Sequence, residues 1–123
     1  MATRRIEGLV GRAAVRAALV ESPSRDDTAT AVRYLLQVLA DDAPGNSVEV
    51  RVPPYGATQA VEGPRHTRGT PPNVIEMDAA TWLALATGTL PYADALSSAR
   101  LIASGSRADL TAYLPLRWDA PPG

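Results

Sequence analysis

The chain of 123 residues has no cysteine, no lysine and no phenylalanine, and only one histidine. Without cysteine there are no disulfides, no thiolate zinc or iron–sulfur sites and no cysteine nucleophile. A transmembrane helix needs about 20 consecutive apolar residues, and no run here approaches that, so no integral membrane segment is expected. The apolar stretch near the amino terminus is broken by Arg12 and Arg16, which does not fit a secretory signal. Twelve arginines against thirteen acidic residues leave a net charge of −1. That balance gives no electrostatic case for nucleic acid. A length of 123 residues suits one domain able to bury a core without metal or disulfide support. With 22 alanines and 26 leucines, isoleucines and valines, that core must be aliphatic. We therefore expect a single domain over residues 1–123, of cytoplasmic type and needing no cofactor.

The patterning divides the chain into short elements. Residues 9–20 read as a helix in an amino-terminal extension (1–23), with Arg5, Arg12 and Arg16 on one side and Val10, Ala13, Ala14, Ala17 and Ala18 on another. Ser24 followed by Asp27 approximates a capping box. The helix it opens repeats Val32, Leu35, Leu36 and Leu39 at i, i+3, i+4 and i+7, with Arg33, Gln37 and Asp41 on its polar side. Pro44-Gly45-Asn46 ends it. Val48, Val50 and Val52 alternate with Glu49 and Arg51, predicting a half-buried strand with an antiparallel return over residues 57–62. Five of the ten residues from Gly63 to Pro72 are glycine or proline, so this stretch reads as an irregular loop. A short strand over 73–77 follows, then a helix capped by Asp78 and closed by Gly88, and another beginning at Pro91. A strand at 101–103 precedes a last helix, which Ser106 and Asp109 start, Leu110, Tyr113 and Leu114 line, and Pro115 stops; residues 117–123 form a tail. The order α-α-β-β-β-α-α-β-α predicts an α+β fold, with a largely antiparallel sheet of about four strands covered on one face by helices.

The succession from Asn73 onward carries a resemblance. Asn-Val-Ile-Glu-Met-Asp78 leads into Ala-Ala-Thr-Trp82-Leu-Ala-Leu-Ala-Thr-Gly88-Thr-Leu90, then Pro-Tyr-Ala-Asp-Ala95-Leu and Leu101-Ile-Ala-Ser-Gly105-Ser-Arg-Ala-Asp-Leu110. This order of strand, capped helix ending in Gly-x-Leu, second helix, strand, glycine and closing helix resembles the sterol carrier protein type 2 superfamily. With the hairpin at 48–62, the resemblance covers residues 28–116. It extends to a small actinobacterial branch, related to the carboxyl-terminal domains of mycothiol-dependent maleylpyruvate isomerases. Two features depart from the pattern. Ser98-Ala99 stands where a glycine usually precedes the last strand, and the 63–72 loop leaves the sheet one strand short.

The resemblance implies a non-enzymatic protein that holds an apolar ligand, such as a fatty acyl chain, an acyl thioester or a sterol-like lipid, between sheet and helices. Its expected walls are Val32, Leu36, Val50, Trp82, Leu85, Leu110 and Leu114, each on the apolar stripe of its element. Arg65, His66 and Arg68 are the candidates for a headgroup or other anion, since arginine forks fit carboxylate and phosphate. Trp82 needs a partner for its indole N–H if it is buried, and no obvious one is visible. The rival reading is an interaction module of the same fold with a vestigial cavity, packing on a protein partner or a second copy. A third is an accessory domain for mycothiol-dependent chemistry in trans. Catalytic readings fare worse. Ser104-Gly105-Ser106 lacks the nucleophile elbow, one histidine completes no triad, and the paired aspartates lack calcium-loop spacing. No metal site is expected.

Overall fold

A computed structural model describes residues 4–63 and 73–120. The extension forms α1 (Gly8–Ala18), whose principal neighbour is α2 (Arg25–Asp42). Gly11 permits that approach. A Cβ built there would lie 2.1 Å from Cδ1 of the buried Tyr34 ring, so any side chain would force the helices apart. The close contact also fixes the rotation of α1. Gly11, Ala14, Val15 and Ala18 are buried, whereas Val10 and Ala13, expected on the apolar side, are exposed. At the start of α2 the Ser24 hydroxyl accepts the Asp27 N–H at 3.0 Å, the first half of the expected capping box.

The sheet contains β1 (Val48–Val52), β2 (Gly56–Ala60), β3 (Val74–Met77) and β4 (Leu101–Ser104), in the order β2-β1-β3-β4. β1 and β2 pair antiparallel, from Val48 opposite Ala60 to Val52 opposite Gly56, as the alternation predicted. β3 pairs antiparallel with β4 and parallel with β1, so the sheet is mixed. Val48, Val50, Val52, Ile75, Met77 and Leu101 are buried, while Glu49, Arg51, Glu76 and Ile102 occupy the alternate positions with greater exposure. β2 ends two residues early because Val61 turns to φ 68°. Its N–H is held by the Ala43 carbonyl, and its own carbonyl accepts from the Ser47 N–H and hydroxyl. Gly45, at φ 150°, lies close against this turn and leaves no space for a side chain.

Asp78 caps α3 (Ala79–Thr87) by accepting the Thr81 N–H at 2.8 Å, and Gly88 closes the helix in the left-handed region. α4 (Tyr92–Ser97) leads into β4. The last expected helix does not form: residues 106–114 run as successive turns. Two interactions divert them. The Arg107 N–H is taken by the Asn73 side chain, 34 positions earlier, and Asp109 folds its carboxylate onto the Thr111 N–H and hydroxyl. Ser106 is therefore not a helix cap. Leu110 is still fully buried, with Tyr113 and Leu114 packed against the core, so the apolar positions keep their inward role without the helix. The architecture is α+β, with four helices and a four-stranded open sheet among the described residues.

Candidate functional site

Val32, Leu36, Val50, Trp82, Leu85 and Leu110 are all buried, and Leu114 is half-buried; the seven belong to one apolar cluster. They come together from α2, β1, α3 and the closing turns. Trp82 is fully buried, and its indole N–H donates to the Val32 carbonyl at 3.3 Å. The missing partner is thus a main-chain group on α2, which no residue-type pattern can reveal. Arg65, His66 and Arg68 lie outside the described residues.

A groove of about 970 Å³ lies on the other side of α2, between that helix, the segment entering α1, and the hairpin end at Tyr55–Thr58. Ligand pockets generally fall between about 300 and 1,000 Å³. Ile6, Val10, Leu36, Ala40 and Ala57 supply its apolar lining, and Arg4, Arg5, Glu7, Arg33 and Asp41 its charged one. Only Leu36 belongs both to this groove and to the seven residues named from the sequence.

Side-chain bonds to α2 hold the groove open at both walls. The Gln37 amide grips the Ile6 backbone twice: its Oε1 accepts the Ile6 N–H at 2.9 Å, and its Nε2 donates to the Ile6 carbonyl at 3.0 Å. One turn further, Arg5 straddles Asp41 with bonds of 3.2 and 2.7 Å, which holds the guanidinium pKa above its ordinary value. On the opposite wall the Arg33 Nε donates to the Tyr55 carbonyl at 2.8 Å. Arg33, Gln37 and Asp41 are therefore groove residues, although spacing alone reads them as the solvated side of α2. Their i, i+4, i+8 register beside Leu36 and Ala40 is the signal that was present. What it lacked was the position of the amino-terminal segment.

Away from the groove, Asn73 ties the sheet together. Its buried side chain donates to the Ser47 carbonyl at 2.7 Å and accepts the Arg107 N–H at 2.8 Å. Asp78 has its pKa lowered by the hydrogen bonds from Thr81, with Arg100 adding a smaller effect. Burial raises the Tyr92 phenol. None of these groups faces another in a nucleophile–base arrangement; they are caps and ties. Among the described residues no group of three or more histidine, aspartate or glutamate side chains is placed to hold a metal, and no helix is long and apolar enough to cross a membrane.

Comparison with protein families matches residues 24–116 to the model described as bacterial SCP ortholog. The matched span begins at the Ser24 cap and ends with the turns that carry Leu110 and Leu114, so α1 and the segment before it lie outside it. No curated protein matches the chain.

Proposed function

The chain belongs to the family of bacterial sterol carrier protein orthologues, and from that premise we propose that it is a non-catalytic carrier whose apolar ligand lies in the groove between α2, β2 and the amino-terminal segment. The groove is the observation that carries this reading. It has the volume of a ligand pocket, an apolar lining built on Leu36, Ala40, Ile6 and Val10, and walls pinned by Gln37 and Arg33. Binding here would work by burial: each methylene taken out of water contributes about 0.8 kcal/mol. A single acyl chain suits such a space. The seven core residues named from the sequence then form the packed layer beneath, with Leu36 as the point where layer and ligand meet.

Two substitutions test this placement against a tunnel through the core. Ala40→Trp fills the groove from its half-buried wall, and should abolish fatty-acid binding while leaving the melting temperature of the free chain nearly unchanged. Leu110→Trp enters a fully buried position, where overpacking costs about 1–3 kcal/mol. Native mass spectrometry of the purified chain, and the rise in melting temperature with added fatty acid, supply the readouts. Ligand lost in Leu110→Trp but kept in Ala40→Trp would move the site into the core.

A second reading has its own observation. Leu9, Val10, Leu19 and Val20, on and just after α1, are between 47% and 70% exposed. Exposed apolar side chains at the two ends of α1 favour an interaction module, and ligand-free protein that elutes as a complex would support it.

A further inference from the structure

The contacts that hold α1 in place are ones that any second copy of the chain also offers. Its buried residues meet α2, with Gly11 against the Tyr34 ring. The segment entering it is held by Gln37 and Asp41 of α2. Arg16 lies over the Trp118 ring, 5.8 Å from its centroid. None of these contacts involves the connection that joins α1 to α2.

That connection, residues 19–24, is poorly suited to its turn. It is exposed throughout, and among the described residues no hydrogen bond involves residues 20–23. Ser22 takes φ 57° to bring the chain back, in the left-handed region that residues other than glycine avoid. Pro23 deepens the conflict, because the residue before a proline is steered toward extended backbone. Leu19 and Val20 are left 47% and 58% exposed. The local sequence thus favours an extended connection, and the folded chain imposes a turn. Extended, its six residues span about 20 Å, enough to carry α1 across to a neighbouring copy.

We propose that two copies of this chain exchange α1, each laying its amino-terminal segment and α1 on the α2 of the other. The helix–helix contact is the same in monomer and dimer. What the connection gains is therefore what offsets the entropy of association. In the exchanged form Ser22 relaxes to extended backbone. The two connections pass each other near the two-fold axis, where Leu19 and Val20 of both copies meet. Each groove then takes its Arg5 and Ile6 wall from the other copy. This inference is independent of the carrier reading; it rests on the interaction reading and names a second copy as the partner.

One exposed position gives opposite outcomes. Ser22→Gly accepts the left-handed turn and should weaken dimerisation about tenfold or more, since two connections per dimer are relieved in the monomer. Ser22→Pro cannot take a positive φ, and should dimerise at concentrations where the native chain is mostly monomer. Light scattering on size-exclusion fractions at rising concentration reads both. Chain pairing is read separately. The chain has no cysteine, so Arg5→Cys and Asp41→Cys each carry one thiol, at positions whose native side chains are bonded. The two variants are mixed and incubated at high concentration. A short bis-maleimide should then join position 5 of one chain to position 41 of the other in the dimer fraction, as peptide mass spectrometry would show. A dimer that lacks this link and ignores both Ser22 variants would overturn the exchange and leave the interaction reading standing. Native and Ser22→Pro chains that stay monomeric throughout would overturn the exchange, and with it the second copy as the partner of this surface.

Discussion

On one side of α2, Val32, Leu35, Leu36 and Leu39 are withdrawn from water into the common core. On the other, Arg33, Gln37 and Asp41 reach three separate parts of the chain: the Tyr55 carbonyl, the Ile6 backbone and the Arg5 guanidinium. Both sides follow the same helical period, yet their energetics differ. The first gains stability from area removed from water. The second forms bonds that water also offers, so its net contribution is small and its effect is positional. It sets where the amino-terminal segment and the hairpin end lie, and hence the shape of the groove. A helix can therefore hold the fold with one face and frame a site with the other.

The comparison breaks most readily on the buried face. Leu35 is fully buried, and Leu35→Ala should destabilise the chain by about 2–5 kcal/mol, as large-to-small core substitutions do. Denaturant unfolding would register it as a lower midpoint at an unchanged slope. A loss below about 1 kcal/mol would mean that the core around α2 is loosely packed, which would return weight to a cavity inside it.

That face was the most legible part of the chain. The α2 repeat, the β1 alternation, the Ser24 and Asp78 caps and the Gly88 stop are each decided within a few residues, and local patterns report such decisions. The family resemblance was legible for the same reason, being an ordered series of local elements. The last helix was misread because its fate is not local. Ser106 and Asp109 look like a capping box until Asn73, just before β3, takes the Arg107 N–H. The groove was hidden by the same kind of distance. Nothing in the spacing of Arg33, Gln37 and Asp41 says whether water or another segment lies opposite. Sequence named Leu36 correctly as apolar, and only the folded chain shows that it is where the core meets the groove.

Gln37 sharpens the comparison at an intermediate scale. Its amide makes two bonds to Ile6, 31 positions away, in a half-buried setting. Gln37→Ala removes both and leaves the Ile6 backbone to find water, a change worth about 1–3 kcal/mol at most. The expected signature is local: amide hydrogen exchange at Ile6 should accelerate strongly, while exchange in β1 and β3 stays close to native. Fatty-acid affinity should fall with it, because one wall of the groove is no longer held. Uniform acceleration across the sheet would instead make Gln37 part of the stability core, and the division between the two faces of α2 would lose its meaning.

The smallest effect is expected at Asp41, and it concerns charge alone. The Arg5–Asp41 pair is exposed on both sides, with 68% and 50% of the side chains accessible, and pairs of that kind add little to stability and are screened by salt. Asp41→Asn should leave the melting temperature essentially where it was. Its consequence lies in the groove, which loses a negative charge and frees the Arg5 guanidinium. Asp41 stands eight residues from Arg33 on α2, which is about 12 Å along the helix axis. For a carboxylate at that distance in water-like surroundings, removing one unit charge should change the affinity by about twofold at low ionic strength. Palmitate should therefore bind slightly more tightly to Asp41→Asn. Hexadecanol, which has the same chain without the charge, should be indifferent, and the gain should fade once the salt concentration shortens the Debye length below that separation. If the two ligands respond alike, or if the gain persists in high salt, the effect comes from a rearranged amino-terminal segment, and the polar face of α2 is then a structural tether and not an electrostatic frame.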